Sequence, residues 1–122
     1  MNEIPPQVQN QLAQLQQVQQ QAQALMQQKS QVEMILHETE RALEEIKKAD
    51  ESAVIYKAAG ELLIKAKKDE VEKDLEEKKD SLEIRMKSLA RQEERIQAKF
   101  QQLQDQIKQA LGKGSPSGRE AS

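Results

Sequence analysis

The chain has 122 residues, about a third of them charged, with a formal net charge of −2 and only two aromatic side chains, Tyr56 and Phe100. That is too little large apolar material for a compact globular core, and the Gln-, Glu-, Lys-, Leu- and Ala-rich composition fits long helices with a narrow apolar seam. Both signs of charge are interleaved along the second half, which argues against a nucleic-acid binder with its basic stripe. Cysteine is absent, so there is no disulfide framework and no thiolate chemistry. No stretch reaches the ~18 apolar residues of a membrane span, and the N-terminal residues lack the basic and apolar regions of a signal peptide, so a cytoplasmic protein that does not enter membranes is expected.

In chain order, Pro5-Pro6 marks the start of a first helix, because proline is tolerated in a first turn where no backbone donor is needed. From there apolar residues recur at spacings of three and four. Val8, Leu15, Ala22, Lys29, Leu36 and Leu43 form one line, and Gln11, Val18, Leu25, Val32, Thr39 and Ile46 the other, a heptad pattern that predicts a coiled-coil helix over 5–49. Its first half, Gln7 to Gln31, is Gln-rich and almost uncharged; glutamine there is a fair helix former at solvated positions and also leaves a face permissive towards many partners.

Val54-Ile55-Tyr56-Lys57 and Leu62-Leu63-Ile64-Lys65 read as two short strands around a turn of Ala58-Ala59-Gly60-Glu61, a β-hairpin within 53–66. A second helix follows over 68–111, with Asp69 and Glu72 spaced as a capping box. Leu75, Leu82, Leu89, Ile96, Leu103 and Ala110 form one line of its seam; Lys79, Met86, Glu93, Phe100 and Ile107 form the other. Gly112 is a natural stop, and 112–122 reads as a polar, disordered tail.

The two seams test each other, because facing residue numbers in an antiparallel pair add to a constant. Leu43 with Leu75, Leu36 with Leu82, Leu15 with Leu103, Val18 with Phe100 and Gln11 with Ile107 all share the same constant, close to the one a turn at Ala59-Gly60 requires. The same register sets Thr39 opposite Lys79 and places Lys29 one layer from Glu93, where a contact across the seam is expected; polar seam residues of this kind cost stability but fix register. The fold class is therefore mainly α: one domain over 1–111, a long antiparallel two-helix coiled coil, each helix roughly 65 Å long, with a central hairpin.

A lone hairpin is marginal in water and offers two unpaired edges. Val54, Ile55, Tyr56, Leu62, Leu63 and Ile64, arranged around Gly60, exceed what one helical arm can cover, so pairing with hairpins of other subunits into a sheet or barrel is expected. The competing reading is a plain helix–helix loop packed on the arm base.

At Tyr56-Lys57-Ala58-Ala59-Gly60-Glu61-Leu62-Leu63-Ile64, followed by Lys68-Asp69-Glu70-Val71, the chain resembles the hairpin segment of prefoldin β-class subunits. Arg91-Gln92-Glu93-Glu94-Arg95-Ile96 is similar to that family's second-helix motif, and Pro5-Pro6-Gln7-Val8 to its start. Room for one hairpin, not two, points to the β class over the α class. The resemblance covers about residues 4–111. It implies an ATP-independent chaperone of archaeal type, with two α and four β subunits joining hairpins into a β-barrel body, holding unfolded polypeptides at the arm tips and passing them to a group II chaperonin.

The residues themselves indicate how such an arm would grip. The tips hold both termini, where helix ends fray. Val8, Leu12, Leu15, Leu103, Ile107 and Leu111, with Ile4 and Phe100, lie within a few turns of that end as seam residues that fraying would expose. Each is worth roughly 1.5–3 kcal/mol on burial, so several tips must act together for useful avidity. His37 has no second His or Cys to share a metal, and the carboxylates alternate with Lys and Arg, so no catalytic, cofactor-binding or metal residues are expected, and no enzyme. Gly112-Lys113-Gly114-Ser115 lacks the upstream glycine and strand of a phosphate-binding loop. Two other classes compete: a structural coiled-coil spacer and an RNA-binding helical arm, the latter disfavoured by the mixed charges of the second helix.

Overall fold

The computed structural model describes residues 4–113, and among them the order of elements is α1 (Pro6–Lys48), β1 (Ile55–Ala59), β2 (Leu62–Ala66) and α2 (Lys68–Lys113). They fall into two compact units, residues 4–28 with 89–113, and residues 29–88.

The helix boundaries follow from the backbone groups available to close them. Pro6 opens α1, and the Pro5 carbonyl accepts the Gln9 N–H at 3.0 Å. The Gln9 side chain reaches back to donate to the Ile4 carbonyl, also at 3.0 Å. No Gly or Pro interrupts α1 after Pro6, and Lys47 and Lys48 place positive charge at its carbonyl end, where the helix dipole favours it. Just beyond, the Lys68 ammonium donates to the Ala49 carbonyl at 2.9 Å, satisfying an acceptor that the helix leaves open.

In the unit formed by residues 29–88, the seam positions are the ones withdrawn from solvent. Leu43, Ile46 and Thr39 are buried, while Lys29, Val32, Leu36, Val71, Leu75, Lys79, Leu82 and Met86 are half-buried. The buried Thr39 hydroxyl donates to the Ile35 carbonyl one turn back, at 2.8 Å. Lys79 escapes the seam sideways, its ammonium 3.9 Å from the Glu40 carboxylate. Lys47 lies 3.7 Å from Glu76. As the α1 partner moves back along its helix, the α2 partner moves forward, so the helices are antiparallel.

In the unit formed by residues 4–28 and 89–113, Val8, Val18, Leu25, Leu89 and Leu103 are buried. Gln11, Leu15, Ala22, Glu93, Ile96, Phe100, Ile107 and Ala110 are half-buried between them. The heptad reading placed all of these correctly. It erred at Leu12 and Leu111, expected in the seam and found 40% and 50% exposed. Each stands one residue past a seam position, Gln11 and Ala110, and one residue turns the chain about 100° around a helix of 3.6 residues per turn. They belong to the flank.

Some details at the element ends differ from expectation, although α2 begins at Lys68 as expected. The hairpin turn is only Gly60-Glu61, since Ala58 and Ala59 pair with Leu63 and Leu62 as strand residues, and Val54 precedes β1. Lys67, not Asp69, flanks the start of α2: its carbonyl accepts the Val71 N–H at 3.1 Å, which puts Asp69 inside the first turn, where it favours the dipole instead of capping. β2 runs to Ala66, leaving one residue for the connection. Gly112 lies within the last turn of α2 and does not end it; residues 114–122 of the expected tail lie outside the described residues.

Candidate functional site

The hairpin is built around one glycine. Gly60 has φ +63°, and no other described residue has a positive φ. A positive φ at the first turn residue and a negative one at the second, Glu61, is the type II′ combination, whose twist matches the flanking strands. The register pairs Ile55 with Ala66, Tyr56 with Lys65, Lys57 with Ile64, Ala58 with Leu63 and Ala59 with Leu62. Side chains alternate across a strand. One face therefore carries Ile55, Lys57, Leu62 and Ile64, and the other Tyr56, Leu63 and Lys65.

On the first face Ile55 and Ala66 are half-buried, and the Lys57 ammonium sits 3.4 Å from the Asp74 carboxylate of α2. Farther along, the side chains expected to mediate assembly are open to solvent: Val54, Tyr56, Leu62, Leu63 and Ile64 are all exposed, Leu63 at 71%. The hairpin thus presents apolar side chains on both faces. The alternative of a loop packed down on the helices does not describe it.

The segment leading into the hairpin is held by local polar contacts. Asp50 accepts hydrogen bonds from the Ser52 backbone N–H at 3.1 Å and the Ser52 hydroxyl at 3.2 Å. The Ser52 backbone contact chiefly holds the Asp50 carboxyl below its ordinary value, helped by the Ser52 hydroxyl and opposed by desolvation, with lesser help from the Glu51 N–H and the Lys68 charge. Lys68 also lies 3.5 Å from Glu51.

The second candidate region is the end of the seam where α1 begins and α2 finishes. Of the residues expected to contact clients, Val8 and Leu103 are buried in the seam, Leu15, Phe100 and Ile107 are half-buried along it, and Ile4, Leu12 and Leu111 are exposed beside it. Among them stands a group that the apolar pattern does not single out. The Gln11 side-chain oxygen is buried without a hydrogen-bond donor, at a cleft lined by Gln7, Gln106, Gln109 and Ala110. An unsatisfied buried acceptor costs about 1–3 kcal/mol. The seam is therefore weakened where no covalent link joins the helices.

Among the described residues no group of three or more His, Asp or Glu side chains could hold a metal ion, and no helix is long and apolar enough to cross a membrane. His37 is solvent-exposed, with Nδ1 3.6 Å from Glu40.

The arrangement has counterparts among known proteins. A family model described as "Prefoldin subunit" matches residues 9–114. The chain belongs to the prefoldin subunit family. A prefoldin subunit beta from Methanocella arvoryzae is 70% identical over 118 residues, covering 97% of this chain and 94% of the relative. One from Pyrococcus furiosus is 46% identical over 111 residues, covering 91% and 95%. The crystal structure of the prefoldin beta subunit from Thermococcus strain KS-1 superposes with a TM-score of 0.85 at 44% identity, covering 91% of this chain and 97% of that one. The single hairpin that distinguishes a β-class prefoldin reading is present, and these relatives carry the β name.

Proposed function

We propose that this chain is a β-class subunit of an ATP-independent holdase. It assembles through its hairpin with α-class subunits, two α to four β, and holds unfolded polypeptides at the open ends of its helix pairs until a group II chaperonin takes them. The observation that carries the holding step is the composition of the seam end: Val8, Leu15, Leu103 and Ile107 line a junction weakened by the unpartnered Gln11 oxygen. Parting of the last turns exposes these side chains, and reclosure buries them again. The energy of each contact is small, roughly 1.5–3 kcal/mol per aliphatic group, so release stays quick and retention depends on several subunits engaging one client.

The proposal is tested on the assembled complex by removing residues 1–14 together with 103–122 and following aggregation of a chemically unfolded protein by light scattering. Suppression of aggregation is expected to be lost while the hairpin-mediated assembly persists by mass. Unchanged suppression would overturn the assignment of holding to this end.

A further inference from the structure

Along the sequence of α2 the two signs of charge alternate, but around its axis they separate. Each step of four residues turns a helix about 40° past a full turn and advances it about 6 Å. In the unit of residues 4–28 and 89–113, Arg91, Arg95 and Lys99 therefore stand in one row about 12 Å long, within a sector of about 80°. All three are exposed, and none forms an ion pair with a described residue. The carboxylates of this part of α2 are committed elsewhere. Glu93 is half-buried in the seam, Glu94 stands about 100° round the helix from Arg95, and Asp105 accepts a hydrogen bond from the Gln101 amide at 3.2 Å. In the unit of residues 29–88 the habit recurs independently: Lys78 and Arg85, seven residues apart, are exposed and make no ion pair with a described residue.

The row gains nothing inside the chain. Like charges four residues apart repel and destabilise a helix, and residues 6–28 of α1 carry no carboxylate to relieve them. Beside the row lies an uncharged groove between the helices, lined by Gln21, Ala24, Leu25 and Gln28 of α1 with Gln92 and Ile96 of α2. Gln92 and Ile96 stand between Arg95 and the seam, so groove and row are neighbours.

We infer that the row binds the backbone of a single-stranded nucleic acid, with phosphates along Arg91, Arg95 and Lys99 and sugars over the amide-lined groove. Arginine presents a planar fork of donors that suits phosphate oxygens. Glutamine amides both donate and accept, as ribose hydroxyls require. A duplex keeps its sugars and bases behind two stiff backbones, whereas a single strand can lay them in the groove. The chemistry of the sector also chooses between anions. An acidic protein surface would match the charge, but protein interfaces draw their affinity from buried aromatic and apolar anchors. Among the cations stand only Gln92, Ala98 and Gln102, which supply none. A phosphate chain is held by charge alone. With no exposed aromatic in the row on which a base could stack, binding is indifferent to sequence. This activity goes beyond the holding function and does not depend on it.

The test uses the assembled complex and a fluorescein-labelled uridine decamer, short enough to meet one row at a time, read by fluorescence anisotropy. The logarithm of affinity is expected to fall against the logarithm of salt concentration with a slope of about −2, as three phosphate contacts on a single strand require. Arg91→Gln with Arg95→Gln and Lys99→Gln, on exposed positions of sound helix propensity, is expected to weaken binding at low salt about tenfold or more and to flatten that slope. The thermal midpoint is expected not to fall, since the substitution relieves like-charge repulsion. The same loss of charge placed elsewhere, Lys48→Gln with Lys73→Gln and Lys87→Gln, is expected to change binding less than about twofold. Equal weakening by both sets, or no binding of the decamer at low salt, would overturn the proposal. Displacement of the decamer by polyglutamate as readily as by unlabelled strand of equal charge would assign the row to an acidic protein partner and overturn it too. Suppression of client aggregation is expected to survive the Arg91, Arg95 and Lys99 substitutions, so this proposal and the holding function fail separately.

Discussion

At position 11 an amide stands where the repeat calls for an aliphatic side chain, and its oxygen has no donor. Gln11→Leu removes the unsatisfied acceptor and adds apolar contact at the same site. The seam end should tighten by about 1–3 kcal/mol, read as a higher thermal midpoint and slower hydrogen exchange in the first turns of α1. If opening is how clients are held, the same variant must hold them less well; a more stable complex with undiminished aggregation suppression would contradict that mechanism. Asp50 acts at the other kind of junction, between α1 and the hairpin. Its folded pKa is lowered relative to the ordinary 3.8, so the ordering of this connector is fully present above that value and is lost as the pH falls through the depressed one. Protection of the Ser52 and Ala53 amides, taken relative to their intrinsic exchange rates, should fall over that acid range, and Asp50→Asn should make that protection independent of pH there.

At the scale of the element, the hairpin depends on one backbone conformation. Nothing lies within 4 Å of where a Cβ on Gly60 would stand, so Gly60→Ala meets no clash with other groups and its cost is that of the positive-φ turn conformation alone, on the order of 1–3 kcal/mol for an L-residue. The expected result is faster exchange of the β1 and β2 amides with the helices unchanged; D-alanine at position 60, introduced by chemical synthesis, should restore protection because its preferred φ is positive. The sequence carried the helices more fully than the hairpin, for a physical reason. Heptad spacing repeats over many turns, so each seam line is checked by its neighbours, and the residues assigned to those lines, from Val8 to Ala110, are the ones found withdrawn from solvent. Strand limits rest on a few residues. Ala58 and Ala59 carry no strong preference for strand or turn, and only backbone pairing decides that both belong to β1. The same lack of redundancy misplaced Asp69 as a cap and put Leu12 and Leu111 in a seam they flank. The unpartnered oxygen of Gln11 was not legible at all, because it depends on which groups surround one side chain, something that apolar patterning does not record.

For the whole molecule, the decisive property is how unevenly charge and exposed apolar surface are distributed. Residues 6–28 contain no Asp, Glu, Lys or Arg, whereas the hairpin concentrates Val54, Tyr56, Leu62, Leu63 and Ile64 in solvent, with both strand edges unpaired. Closing hairpins of several subunits into one sheet covers edges and one face together. Leu63 is the sharpest probe of this, because it is exposed in the single chain and pairs with Ala58, a residue of little bulk. Leu63→Lys removes no contact that the isolated chain makes, so its helical circular dichroism and thermal midpoint should match those of the parent at concentrations where both are monomeric. Mixed with α-class subunits, it should fail to form the complex, because a lysine placed in an apolar interface leaves an unpaired buried charge. The mass of the mixture, measured by light scattering after size exclusion, decides between the two outcomes. Leu62→Lys, on the opposite face, separates the faces: assembly that survives one substitution and not the other identifies which face lies inside the joined sheet, and assembly that survives both removes the hairpin as the subunit contact.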